Sequence, residues 1–132
     1  MRRILVVDDD PTIRELLALW LEDHGWSVTT ASNGAEALNE MRHRAHSLVL
    51  LDLMMPVLDG WSLLAERSSD EVLRTIPVVA MSAGGRHALD RALSMGADGC
   101  LPKPFELDSV IPTLELAAAA IDLLPGHPGS RR

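Results

Sequence analysis

Tyrosine is absent from these 132 residues, phenylalanine and cysteine occur once each, and no apolar run is long. The lone cysteine, Cys100, excludes an internal disulfide and offers no thiolate spacing for a metal. Lysine and arginine number 12 against 19 aspartates and glutamates, giving a formal charge of -7, and adjacent basic residues occur only at Arg2-Arg3 and Arg131-Arg132. A phosphate backbone needs a basic face, so this balance argues against direct nucleic-acid binding. The apolar stretch Ile4-Leu5-Val6-Val7 stops at Asp8-Asp9-Asp10, which is no signal peptide, and no segment is long enough to span a bilayer. A cytoplasmic protein without membrane contact is expected. His24, His43, His46, His87 and His127 show no ligand spacing and read as surface or packing residues.

What is present is a chain of single-domain length with 47% hydrophobic residues, enough for a real core. Short apolar runs alternate with stretches of helical period, the pattern of βαβ units around a parallel sheet with right-handed crossovers. Ile13, Leu16, Leu17, Trp20 and Leu21 set the first helix, with Asp10 as cap, Pro11 at its first position and Gly25 as its stop. Asn33 caps a second helix carrying Ala37, Leu38 and Met41; Trp61 begins a third with Leu64 and Ala65; Leu89, Ala92 and Leu93 mark a fourth ending at Gly96. A fifth carries Leu107, Val110, Ile111, Leu114, Ala118 and Ile121. Pro112 conflicts with an early start there: either that helix begins near Asp108, leaving Pro112 in its first turn, or it is kinked. Its later part, Leu114 to Leu124, is apolar on nearly every side, which suggests a partner surface. Trp20 and Trp26 read as core. The expected fold is a doubly wound α/β domain over residues 1–124, followed by a frayed tail at 125–132.

Three apolar runs end in chemistry: Ile4 to Val7 in Asp8-Asp9-Asp10, Leu48 to Leu51 in Asp52, and Pro77 to Met81 in Ser82. A fourth, ending near Leu101, is followed by Lys103-Pro104. If the strands are parallel, these groups meet at the carboxyl edge of the sheet, where open α/β folds place their ligands. Asp8, Asp9 and Asp52 repel one another unless a hard cation sits among them; with Lys103 they sum to -2, which one Mg²⁺ cancels. Acids after a strand can instead serve the next helix N-terminus, the reading preferred for Asp10. Ser82 alone is an ordinary turn residue, and a lysine before a proline is ordinarily solvated. Beside the acids, the hydroxyl and the ammonium complete a phosphoryl site with Asp52 as nucleophile, because positioning and electrostatics supply most of the catalysis in phosphoryl transfer.

Val6-Val7-Asp8-Asp9-Asp10-Pro11, Asp52-Leu53-Met54-Met55-Pro56 with Asp59-Gly60, Met81-Ser82-Ala83, Gly96-Ala97-Asp98 and Lys103-Pro104-Phe105 together resemble the receiver domain of bacterial two-component response regulators, chemotaxis regulators included. The likeness runs from Arg3 to about Ile121. It implies a flavodoxin-like sheet of five parallel strands in order 2-1-3-4-5 with five helices. It further implies that Asp52 accepts a phosphoryl group from a sensor histidine kinase or a histidine phosphotransfer protein. Asp9 and Asp52 would ligate Mg²⁺ directly, Asp8 through water, and the Met54 backbone carbonyl would be a further ligand. Ser82, followed by Ala83, would move toward the phosphoryl oxygen and Lys103 would pair with it. The Lys103-Pro104 peptide is expected cis. Such a domain is a switch and not a turnover enzyme, apart from its own phosphorylation and slow dephosphorylation. It acts on a downstream protein or an output domain of its own chain, and can dimerise through its last two helices.

One position departs from the family. The aromatic residue commonly found three before the lysine is replaced by Cys100, which puts aromatic gating of the readout surface in question; a small apolar filler is the preferred reading of that cysteine. Phosphorylation can still bias two states through Ser82 and Lys103. Trp61, just past Asp59-Gly60, is expected near enough to the site to report metal binding. A haloacid-dehalogenase-like phosphatase would need a second aspartate where Met54 stands, and an FMN carrier would not put three aspartates on its phosphate loop. The competing function is a docking module of receiver fold that binds partners through its last helices without phosphorylation.

Overall fold

The structure, a computed structural model, describes residues 2–122, with side chains described up to residue 119. The tail from 125, Leu124 and His127 lie outside the described residues, as does the packing of Ile121. Five parallel strands, β1 (Arg3–Val7), β2 (Ser27–Ala31), β3 (Leu48–Asp52), β4 (Val78–Ser82) and β5 (Gly99–Pro102), form one sheet in the order β2-β1-β3-β4-β5. Helices α1 (Pro11–Asp23), α2 (Gly34–His43), α3 (Gly60–Ser68), α4 (Gly85–Ser94) and α5 (Val110–Asp122) alternate with them. This is the flavodoxin-like order.

The central strands β1, β3 and β4 are apolar along most of their length because helices cover both faces of the sheet, whereas the edge strand β2 carries Ser27, Thr29 and Thr30 and is only partly buried. Ile4, Val6, Leu48, Leu50, Val79, Met81 and Leu101 face α1 and α5, packing on Leu17, Leu21, Val110 and Leu114. Leu5, Val7, Val49, Leu51, Val78 and Ala80 face the other layer and meet Ala37, Leu38 and Met41 of α2, Leu63 and Leu64 of α3 and Ala92 of α4. Each fully buried aliphatic side chain contributes roughly 1.5–3 kcal/mol through removal from water. Register ties the edge together: Val7 pairs with Leu51, and Asp52 pairs with Met81.

Helix starts follow local chemistry. The Asp10 side chain accepts from the Thr12 and Ile13 amides at 2.9 and 3.5 Å, and Pro11, with no N–H to satisfy, takes the first position. Asn33 accepts from the Glu36 amide, while the Glu36 carboxylate accepts from the Ser32 amide and hydroxyl. Those two donors hold the exposed Glu36 carboxyl below the usual range. Asp59 caps α3 through the Ser62 amide at 2.8 Å. Pro112 falls within the first turn of α5, after a 3-10 turn at Leu107–Ser109, so nothing is lost to its missing N–H. The start near Asp108 is therefore the better of the two expectations.

Not every residue of the helical repeats is covered, and one core expectation needs correcting. Leu16 is 49% and Leu93 43% exposed, and Ala65 is exposed while Leu63 and Arg67 of the same helix are buried. A helical repeat fixes the period but not the width of the covered stripe, and helices at the rim of a sheet bury a narrow one. Trp26 is core, whereas Trp20 is only partly buried and leans on His24 with ring centroids 4.4 Å apart.

Candidate functional site

β1, β3 and β4 end at the same edge, and each delivers its last side chains there. Asp8 follows β1 and is fully buried, Asp52 is the last residue of β3 and 4% exposed, and Asp9 is exposed. One carboxylate oxygen from each lies within 4.8 Å of the others. Lys103, just beyond β5, places its Nζ 2.8 Å from Asp8 Oδ2 and 3.6 Å from Asp52 Oδ2. Its backbone N–H donates to the Ser82 carbonyl at 2.9 Å, which locks the end of β4 to the lysine. Ser82 is buried, and its hydroxyl oxygen accepts from the Gly84 amide.

The acids are held unequally. Asp8 Oδ1 accepts from the Asp10 amide and Oδ2 from Lys103, so both oxygens are engaged. Asp52 Oδ1 accepts from the Met54 amide at 3.2 Å, which brings the Met54 backbone beside the carboxylate while its side chain is 61% exposed. Among the described residues no hydrogen bond fixes the Asp9 carboxylate, so the backbone alone aims it.

Three carboxylates against one ammonium leave excess negative charge. Burial, then the neighbouring Asp8 charge, push the Asp52 carboxyl up to about 6, with the Met54 amide and Lys103 pulling the other way. Burial alone would lower the Lys103 ammonium, but its hydrogen bond to Asp8 and the charge of Asp52 outweigh that and leave it above its ordinary value. The donors are all oxygen, grouped and short of positive charge. That is the chemistry of a hard divalent cation such as Mg²⁺, which keeps several waters and takes few protein oxygens.

The remaining site residues fall around this cluster. The Lys103-Pro104 peptide is cis. Ala83 is exposed and lines a groove with Ile13, Leu16, Lys103, Pro104 and Phe105. Cys100 is half-buried within β5 opposite Ala80, short of the strand end and apart from the acids. Trp61 lines a depression with Met54, Met55, Pro56 and Asp59, and Arg91 of α4 stacks over its ring at 4.4 Å.

The loop after β3 is held by close backbone contacts. The Gly60 amide donates to the Leu53 carbonyl, and a side chain at Gly60 would meet the Asp52 carbonyl at 2.6 Å. Gly34 donates to the Leu58 carbonyl, and a Cβ there would collide with that oxygen. Val57, in the same loop, has φ of 67°, a left-handed conformation unusual for a β-branched residue.

Sequence reasoning missed two residues. Arg14 in the first turns of α1 donates from Nη1 to the Asp8 carbonyl at 2.8 Å. Arg67 is 3% exposed at the opposite end of the sheet and donates to Asp98, Ile76 and Gly96. Only Asp98 carried a signal, as part of the Gly96-Ala97-Asp98 motif. Its carboxylate also accepts from the Val78 amide, at the start of β4.

Comparison with known proteins agrees with this geometry. Residues 4–115 match the response regulator receiver domain. The chain is 45% identical over 107 residues to the transcriptional regulatory protein CpxR homolog of Haemophilus influenzae, covering 80% of this chain and 45% of that protein. It is 39% identical over 119 residues to the sensor histidine kinase RcsC of Salmonella typhi, covering 89% of this chain and 12% of that one. The chain thus spans about half the length, or less, of the curated relatives it matches. The solved receiver domain of the Francisella response regulator 1452 superposes with a TM-score of 0.84 at 30% identity, covering 91% of this chain and 98% of that one. The order of the sheet, the acid cluster at its carboxyl edge and these likenesses agree: the chain belongs to the response regulator receiver domain family.

Proposed function

We propose that this domain, taken as residues 1–124 with a tail at 125–132, accepts a phosphoryl group on Asp52 in two-component signalling. The observation that carries the reading is the meeting of Asp8, Asp9 and Asp52 within 4.8 Å, with Lys103 Nζ 2.8 Å from Asp8 and 3.6 Å from Asp52. The donor is a histidine kinase or a histidine phosphotransfer protein. An Asp52 carboxylate oxygen forms a bond to phosphorus as the bond from phosphorus to the donor imidazole nitrogen breaks. The imidazole keeps that electron pair and takes a proton, and Asp52 becomes an acyl phosphate.

Asp8, Asp9, Asp52 and the Met54 backbone carbonyl would hold Mg²⁺, which when bound neutralises charge on the transferring group. Lys103 holds a phosphoryl oxygen by charge, and the Ser82 hydroxyl, whose carbonyl is tied to the Lys103 amide, supplies a hydrogen bond to another. Burial of Asp52 keeps competing water away from the acyl phosphate. The new charge draws Ser82 and Lys103 inward and shifts the adjacent starts of α4 and α5. The output is protein contact: a partner in the cytoplasm, an output domain of the same chain, or a second copy through α4 and α5.

Intact-mass measurement after incubation with acetyl phosphate tests this, with and without Mg²⁺ and beside Asp52→Asn. A single phosphoryl adduct that requires both Mg²⁺ and Asp52 is expected. A folded wild-type protein that gains none, under conditions that protect acyl phosphates, would favour a phosphorylation-independent docking module.

A further inference from the structure

We infer that Arg14 is a positioning residue for the metal-binding acids: by clamping the Asp8 carbonyl it fixes the peptide between Asp8 and Asp9, and so aims the Asp9 carboxylate. The inference rests on the reading of the acid cluster as a Mg²⁺ and phosphoryl site.

Pro11 leaves the turn before α1 one donor short. Between the end of β1 and the start of α1 lie only Asp8, Asp9 and Asp10, and the chain must turn there. A carbonyl in such a turn is ordinarily taken by an amide two to four residues on. Here residue 11 has no N–H, and the amides of Thr12 and Ile13 are both taken by the Asp10 side chain. The Asp10 amide goes to Asp8 Oδ1, and the Arg14 amide goes to the Asp10 carbonyl. No backbone amide in the turns, loops and caps of the described residues reaches the Asp8 carbonyl. Asp8 is fully buried, and an unsatisfied buried carbonyl is costly. Arg14, one turn into α1 and half-buried, reaches back and donates Nη1 to it at 2.8 Å.

The consequence falls on Asp9. Asp8 is already held at every polar atom: its amide by the Ala31 carbonyl, its two carboxylate oxygens by Asp10 and Lys103. Asp9 has an exposed carboxylate with no hydrogen bond of its own, yet it must converge with Asp8 and Asp52. The plane of the peptide that precedes it decides where it points. A guanidinium on the oxygen of that peptide sets the plane by a charge-assisted hydrogen bond. Groups that orient metal ligands without touching the metal commonly change affinity by about tenfold or more when removed.

Electrostatics alone predicts the opposite sign. Arg14 is a positive charge beside a cation site, so its removal should tighten Mg²⁺ binding if charge were its whole contribution. Trp61 fluorescence, calibrated against isothermal titration, would give Mg²⁺ affinity for wild type, Arg14→Ala and Arg14→Lys at a temperature where circular dichroism shows all three fully folded. We expect Arg14→Ala to bind Mg²⁺ about tenfold more weakly and Arg14→Lys, which keeps a charged donor, to recover most of the loss. Amide hydrogen exchange at Asp9 and Asp10 should quicken in Arg14→Ala, while exchange in β3 and β4 stays as in wild type. Unchanged or tighter Mg²⁺ binding by Arg14→Ala overturns the inference, as does weakening accompanied by faster exchange across the whole sheet. A wild type that takes up neither Mg²⁺ nor a phosphoryl group overturns the functional reading itself, an outcome separate from a variant that merely equals a competent wild type.

Discussion

The two ends of the sheet both bury charge, and they do so in opposite ways. At the amino end of β4, Arg67 donates to the carbonyls of Ile76 and Gly96 and to Asp98, whose carboxylate also accepts from Val78. Burial pushes the Arg67 guanidinium down and the Asp98 carboxyl up, yet each charge has its opposite 2.9 Å away. At the carboxyl end three acids share one lysine. The first end is complete without any ligand and clasps α3, β4 and the turn after α4 together. The second is left short of positive charge, which is what fits it to a cation under the function proposed above. Buried charge that is fully paired is complete within the fold; buried charge left short has room for a ligand.

The sharpest way to break this comparison is to unpair the complete end. Arg67→Ala leaves Asp98 buried without its partner, and urea denaturation should show a loss of about 3–5 kcal/mol. At the other end the sign reverses. Asp52→Asn relieves a repulsion, so without Mg²⁺ it should raise stability at neutral pH by about 2 kcal/mol, even though the proposed phosphoryl acceptor is lost. Because Asp52 titrates near 6 when folded against 3.8 when free, the folded state holds the extra proton between those values. Stability from this group therefore falls as pH rises through that window. Denaturation curves across it should show this slope in the wild type and not in Asp52→Asn.

Backbone strain sharpens the same contrast. Near the clasp the left-handed position is Gly96, with φ of 102°, where no side chain objects; in the loop above Asp52 it is Val57, 82% exposed. Val57→Gly should stabilise by about 1 kcal/mol in thermal unfolding, since nothing packed is lost. The smallest effect concerns His46, buried near the start of β3, bonded through Nε2 to Thr29, with no partner for Nδ1 among the described residues. Burial lowers its basicity in the fold, so the unfolded chain binds the proton more readily. Its contribution is present above about pH 6.5 and declines as pH falls below that value; a His46→Gln variant should flatten the decline in urea midpoints.

How much of this was legible in the sequence depended on distance along the chain. Asp10 and Asn33 cap helices a few residues away, and the central strands were readable because burial on both faces makes them almost continuously apolar. The acids could be placed at one edge because parallel strands align their ends, and the resemblance then supplied the strand order. Pairing across many residues had no local trace. Arg67 reads as a charged residue at the end of a helix, where solvent is the ordinary expectation, and only the fold brings it to Asp98. Leu16 and Leu93 carried the right period but lie beyond the edge of what the sheet covers. Arg14 sits on a polar helix position, and its role emerged only once Pro11 was seen to leave a carbonyl unserved.

The lysine that completes the site lies 95 residues from the aspartate it binds. It arrives on the edge strand, whose one neighbour in the sheet is β4. A chain emerging during synthesis therefore carries all three acids long before it carries the ammonium. A partly assembled domain can gather negative charge before it carries the ammonium that offsets it. The pairing of Asp8 thus closes only when the edge strand docks on β4, so this corner is among the last parts of the sheet to be completed.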